Sequence, residues 1–147
     1  MEIYRRFLPH WRMSSATYFI TWRVLFSQSP LPPAARTIVV EALNHFDEER
    51  YQLHAYVVMD DHIHVLLTPL NDWKIEKLVQ SWKSFTANQI QRKCGRQGSI
   101  WLREYFDRIV RNEQEFIEKA NYIMGNPIKR WPESEMYEWV GLGKSYR

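Results

Sequence analysis

The 147-residue chain has one cysteine, Cys94, so no disulfide can form within it. At this length a core can be buried without such staples, and a lone thiol suits a reducing compartment; a cytoplasmic, nucleoid-associated location is the expectation. Long hydrophobic runs are also missing. The opening MEIYRRFLPHW has no signal-like apolar stretch, and no segment reaches the roughly eighteen uninterrupted apolar residues of a membrane helix, so no membrane partner is expected. The five glycines are scattered, with no Gly-rich loop of the kind that cradles nucleotide phosphates. No internal repeat, low-complexity tract or Gly/Ser/Pro-rich linker divides the chain. One domain over residues 1–147 is expected, with residues 128–147 as a tail or extension.

What is present is basic and aromatic. The formal charge is only +3, but the cations cluster at Arg5-Arg6, Arg92-Lys93, Arg103/Arg108/Arg111 and Lys129-Arg130. Such clusters favour a polyanionic partner. Seven tryptophans and eight tyrosines offer faces on which unpaired bases can stack, although many of them must be core in a chain this size. A solvated basic surface around an aromatic core accounts for the same composition.

Residues 16–25, ATYFITWRVL, are rich in β-branched and aromatic side chains and read as a strand. Leu31-Pro32-Pro33 then breaks the chain and starts a helix to about Phe46. Residues 53–59 and 63–68 are apolar runs joined by Asp60-Asp61, a hairpin pattern that Pro69 ends. Helical spacing of Ile75, Leu78, Val79, Trp82, Phe85 and Ile90 predicts a helix over residues 73–93, with Gly95 as its C-terminal cap. Residues 106–110 suggest a fourth strand. Asn112 is a good N-cap for a last helix, expected to stop near Asn126 because Pro127 follows. This order implies an α+β sandwich of ferredoxin-like type, a small antiparallel or mixed sheet of about four strands covered by helices.

The hairpin contains DDHIHVLL. Side chains alternate along a strand, so His62 and His64 share one face about 6.6 Å apart, while Ile63, Val65 and Leu67 take the other. Two such imidazoles can chelate a metal ion, or they can be ordinary satisfied histidines. On the last helix, Phe116, Ile117, Ala120, Ile123 and Met124 form an apolar side, beside a stripe of Glu115, Lys119, Tyr122 and Asn126. Tyr122 and Asn126 are i, i+4 neighbours, so a phenol and an amide oxygen can face one point; an amphipathic helix with polar flanks reads the same way.

The segments LHAYVVMDDHIHVLL, WKSFTANQI, IWLREYFDRIVRNEQEF and NYIMGNP, preceded by HWRMSSATYFITWRV, resemble in kind and order the single-tyrosine HUH transposases, most closely the REP-associated tyrosine transposases. The resemblance spans about residues 4–131. It implies that His62 and His64 are the metal-binding pair, that Asn126 is the third ligand and that Tyr122 is the nucleophile. The implied activity is metal-dependent cleavage and rejoining of single-stranded DNA at palindromic-repeat hairpins through a phosphotyrosyl intermediate. Magnesium or manganese is the implied ion, and two imidazoles with an amide suit manganese at least as well. Monomeric and homodimeric relatives are both implied.

The chain departs from the pattern at Asp60-Asp61, where many relatives have Pro-Asn. Asp61 is a candidate partner of the histidines behind the metal, and Lys119 a candidate cation for the attacked phosphate. Arg92, Lys93, Arg96 and Arg103 are candidate hairpin contacts. Tyr105 is a rival nucleophile. Two alternative functions remain: a non-catalytic hairpin-binding module, or a zinc site joining the pair to Cys94 or His54.

Overall fold

The computed structural model describes residues 15–133 and 136–147. Arg5-Arg6 and residues 10–14 of the HWRMSS stretch lie outside them. The elements are β1 (Thr17–Val24), α1 (Pro33–His45), β2 (Tyr51–Val58), β3 (His62–Pro69), α2 (Ile75–Lys93), β4 (Trp101–Val110), α3 (Glu113–Arg130) and β5 (Val140–Leu142). All strand pairs are antiparallel, in the order β4-β1-β3-β2-β5. The first four strands with α1 and α2 make the βαββαβ ferredoxin-like arrangement. A fifth strand at the β2 edge exceeds the four expected.

Alternation along the strands builds two cores. Ile20, Trp22, Ile63, Val65 and Leu67 point into a layer with α1 and α2. There Trp22 stacks on Trp82 with ring centroids 5.7 Å apart and meets Trp101 edge-on at 6.0 Å. These three indoles are therefore core, not surface for bases. On the opposite face, Ala55, Val57 and Leu66 pack with Phe116, Ala120 and Ile123 of α3.

Helix ends follow local chemistry. Pro33 occupies the first position of α1, where no backbone donor is needed. Gly95 adopts φ +63 just past α2, and the Arg96 N–H returns to the Gln91 carbonyl at 3.2 Å, which satisfies the helix end. The Asn112 side chain accepts from the Glu115 N–H at 2.9 Å, as an N-cap should.

Three boundaries differ from the sequence expectation. β4 starts at Trp101 and not near 106, because the Trp101 indole enters the core and donates to Thr86 Oγ1 at 3.0 Å, while the residues after it show no apolar alternation. α3 does not stop at Asn126. Pro127 withholds a donor within the helix, yet it is buried with Ile123 and Asn126, and the Trp131 N–H bonds its carbonyl at 2.7 Å, so packing carries the helix another turn to Arg130.

The third concerns residues 128–147, expected as a tail or extension. They finish α3 and then supply β5, which pairs Leu142, Gly141 and Val140 with Ala55, Tyr56 and Val57. The return is fixed by Asp47, whose carboxylate accepts from the Leu53 and Lys144 N–H groups, each at 2.8 Å. A Cβ on Gly143 would lie 1.8 Å from the Leu53 carbonyl oxygen. Gly143→Ala is therefore expected to cost about 2 kcal/mol or more and lower the melting temperature by about 4–8 °C, read by thermal unfolding.

Candidate active site

The site forms where the start of β3 meets the second half of α3. His62 and His64 project from the same face of β3, their ring centroids 4.6 Å apart, toward the helix that carries Tyr122 and Asn126. His64 lies between β1 and α3. It stacks on Phe19 at 5.2 Å, meets the edge of Tyr122 at 5.3 Å, and shares a 2.7 Å hydrogen bond between Nδ1 and Thr21 Oγ1. Burial pushes its pKa down to about 3, helped by its neighbours His62, Arg23 and Lys119 and opposed by Asp61. His64 is thus neutral at physiological pH and can offer Nε2 as a lone pair.

His62 is oriented differently. Its Nδ1 is 2.7 Å from Asp61 Oδ1, so Nδ1 donates to the carboxylate and Nε2 is left facing Asn126 Oδ1 at 3.3 Å. An imidazole lone pair and an amide oxygen turned toward each other repel unless a proton or a cation lies between them. Two adjacent ligands on a divalent ion with bonds of about 2.1 Å sit roughly 3.0 Å apart, close to this separation, so the pair could take such an ion between them, with the His64 ring centred 4.6 Å from that of His62.

Asp61 has a second partner that sequence reasoning missed. Arg130, on the extra turn beyond Pro127, reaches the β2–β3 turn with Nη1 3.1 Å from Asp61 Oδ1 and Nη2 2.9 Å from Asp60 Oδ1. Partial burial pushes the Asp61 carboxyl up, but hydrogen bonding and charge from His62 and Arg130 outweigh it and hold the pKa below the usual carboxylate range. The guanidinium therefore offsets the two carboxylates and ties the helix of Tyr122 and Asn126 to the turn of His62. The signal was the pairing of Asp60-Asp61 with a basic cluster at Lys129-Arg130, hidden by the expectation that Pro127 ends the helix.

Tyr122 is 47% exposed, its ring edge against Phe19 at 6.1 Å, while Asn126 is buried one turn later. Lys119 places Nζ 5.0 Å from the centre of the Phe19 ring, on the same side. His62, His64, Asn126, Tyr122, Lys119 and Asp61 are thus brought together.

The rival residues are elsewhere. Tyr105 pairs with Trp22 and packs against the α1/α2 core, on the other face of the sheet from the histidines. His54 is buried with Nε2 2.7 Å from Thr68 Oγ1 and Nδ1 on the Tyr146 hydroxyl, and Cys94 caps α2 against the opposite core. Among the described residues no group of three or more His, Cys, Asp or Glu side chains is placed to hold a metal, so the zinc arrangement is not formed.

The expected hairpin contacts separate as well. Arg92 and Lys93 are exposed at the end of α2, and Arg103 is exposed beside the cleft between α2 and β4. Arg96 differs: it donates to the Gln28 carbonyl at 2.6 Å and to the Pro30 carbonyl at 3.3 Å, which commits its guanidinium to holding the loop after β1.

Residues 17–126 match the family described as Transposase IS200 like. The chain belongs to that family. The REP-associated tyrosine transposase of Escherichia coli strain K12 is 24% identical to this chain, over 97% of this chain and 87% of the relative. Among solved structures, a REP-associated tyrosine transposase bound to a REP hairpin matches with a TM-score of 0.67 at 21% identity, covering 89% of this chain and 81% of that one. A Deinococcus radiodurans crystal structure, provisionally described as a transposase, matches with a TM-score of 0.59 at 20% identity, covering 78% and 92%. Among the described residues of this family member, no helix is long and apolar enough to cross a membrane.

Proposed function

We propose that this member of the family cleaves and rejoins single-stranded DNA beside palindromic-repeat hairpins, with Tyr122 as the nucleophile. The observation that carries the reading is the convergence of an exposed phenol, two imidazoles and a buried amide oxygen at one end of the sheet. The Tyr122 oxygen bonds to phosphorus as one phosphorus–oxygen bond of the DNA backbone breaks, and the departing oxygen takes up a proton as a free hydroxyl. The phosphotyrosyl link keeps the phosphoester energy, so a DNA hydroxyl can attack it in turn and restore the phenol without ATP. His62, His64 and Asn126 would hold magnesium or manganese, which when bound supplies Lewis-acid polarisation of the phosphate. The Asp61 carboxylate fixes which nitrogen of His62 is free, and Lys119 adds positive charge where the phosphate gathers negative charge.

The test mixes protein with single-stranded hairpins from the palindromic repeats flanking its gene, in manganese, magnesium or chelator, and examines denaturing gels. A metal-dependent protein–DNA adduct is expected. Tight hairpin binding with no adduct or cleavage under any metal would favour the non-catalytic module instead. Asp61→Asn should lower manganese affinity about tenfold by calorimetry; an unchanged affinity removes Asp61 from the metal's support.

Arg92, Lys93 and Arg103 serve in this reading as phosphate contacts for the hairpin. Each contact with duplex contributes about 0.9 to the slope of log affinity against log salt. Replacing all three should flatten that slope by about 2–3, read from binding titrations at several salt concentrations. An unchanged slope would show that the hairpin sits elsewhere.

A further inference from the structure

Among the described residues, α3 rests mainly on β2, with lesser contact to β3 and β5, and meets the β1/β4 half of its sheet face at Phe19, Arg108 and Val110, leaving the rest of that half open. On that half, Phe106 of β4 is 65% exposed although it sits within a strand. Its register partner is Thr21, whose own partner across the sheet is His64, the residue it hydrogen-bonds. Phe106 therefore lies on the same row and face as the site histidine, about 10 Å away by two strand spacings. The next row of this face carries Arg108 beside Phe19, and Arg23 stands beside His62. Both arginines are exposed. Arg108 spends one donor on Glu115 at 3.3 Å, which leaves most of its guanidinium available.

An exposed phenylalanine between cations, continuous with a phosphate-cleaving site, has the composition of a single-strand platform: a ring for a base and charges for the backbone. Trp22, Trp82 and Trp101 cannot serve here, because they fill the opposite core. We propose that the open β1/β4 face binds the unpaired nucleotide next to the phosphate attacked by Tyr122, with its base stacked on Phe106 and its backbone between Arg23 and Arg108. This rests on the cleavage reading above for the position of the phosphate. Stacking tolerates any base, so the platform holds the strand in place and leaves sequence choice to other contacts.

The test uses two probes in chelator, so that no cleavage intervenes: the repeat hairpins with and without unpaired extensions, and an oligothymidine strand carrying a single 2-aminopurine. Wild type should quench the fluorescence and bind extended hairpins more tightly than blunt ones. Phe106→Ala should lose the quenching and bind extended hairpins roughly five- to one-hundred-fold more weakly, with blunt-hairpin affinity, manganese affinity and melting temperature unchanged. Phe106→Trp should retain both signals. Three outcomes overturn the platform: no quenching or extension preference in wild type, equal losses on blunt and extended hairpins, or a variant that changes only self-association in sedimentation, which would make the face a contact between copies. Adduct formation by wild type in manganese is scored separately. If it fails while the extension-specific loss persists, the cleavage reading falls and the strand platform remains.

Discussion

Tyr122→Phe is expected to reduce strand cleavage by at least about a thousandfold and to abolish the covalent adduct, while hairpin affinity stays within about twofold of wild type. The substitution removes only the attacking oxygen. The ring keeps its edge contacts with His64 and Phe19, so stability should change by less than about 0.5 kcal/mol. Cleavage kinetics on a labelled hairpin, with denaturant unfolding of the same sample, check both halves. Residual adduct in the variant would move the nucleophile to another residue.

The second large effect concerns the histidines, and the structure separates them. His62→Ala and His64→Ala should each lower manganese affinity by at least about a hundredfold, since losing a ligand costs more than the ten- to hundredfold of a supporting group. Their stability effects should differ. His64 is buried against Phe19 and bonded to Thr21, so its removal leaves a cavity beside a hydroxyl without its partner, at about 1–3 kcal/mol. His62 is 13% exposed and its main partner Asp61 only 35%, so its loss should cost about 1 kcal/mol, less than that of His64. Calorimetry with manganese and urea unfolding in chelator measure the two quantities independently.

The parts of the fold written in local pattern were legible before the structure. The period-two alternation through residues 53–68 placed both histidines on one face, and helical spacing around Trp82 and Phe116 identified the layers that cover the sheet. Tyr122 and Asn126 came to one point because i, i+4 positions share a helix face, whatever the helix packs on. What was hidden depended on tertiary contact. β5 is three residues long and exists because β2 offers an edge; β4 extends back to Trp101 because of one buried indole. Pro127 was misleading for the same reason, since its local penalty is met by burial. That error also concealed Arg130, the cation that offsets Asp60-Asp61 beside the candidate site. Arg96 shows the converse, a basic residue in a basic cluster whose donors are turned inward to a loop.

The assignment of the nucleophile is open to one direct reading. Trypsin cutting after Lys119 and Lys129 releases Ala120–Lys129, whose single tyrosine is Tyr122, while cutting after Arg103 and Arg108 releases Glu104–Arg108, whose single tyrosine is Tyr105. The adduct formed with a repeat hairpin in manganese would be digested with nuclease and trypsin and its modified peptide sequenced by mass spectrometry. A nucleotide-bearing Tyr122 is expected in the first peptide, absent when chelator replaces the metal. A modified Tyr105, or an adduct that forms equally well in chelator, would contradict it.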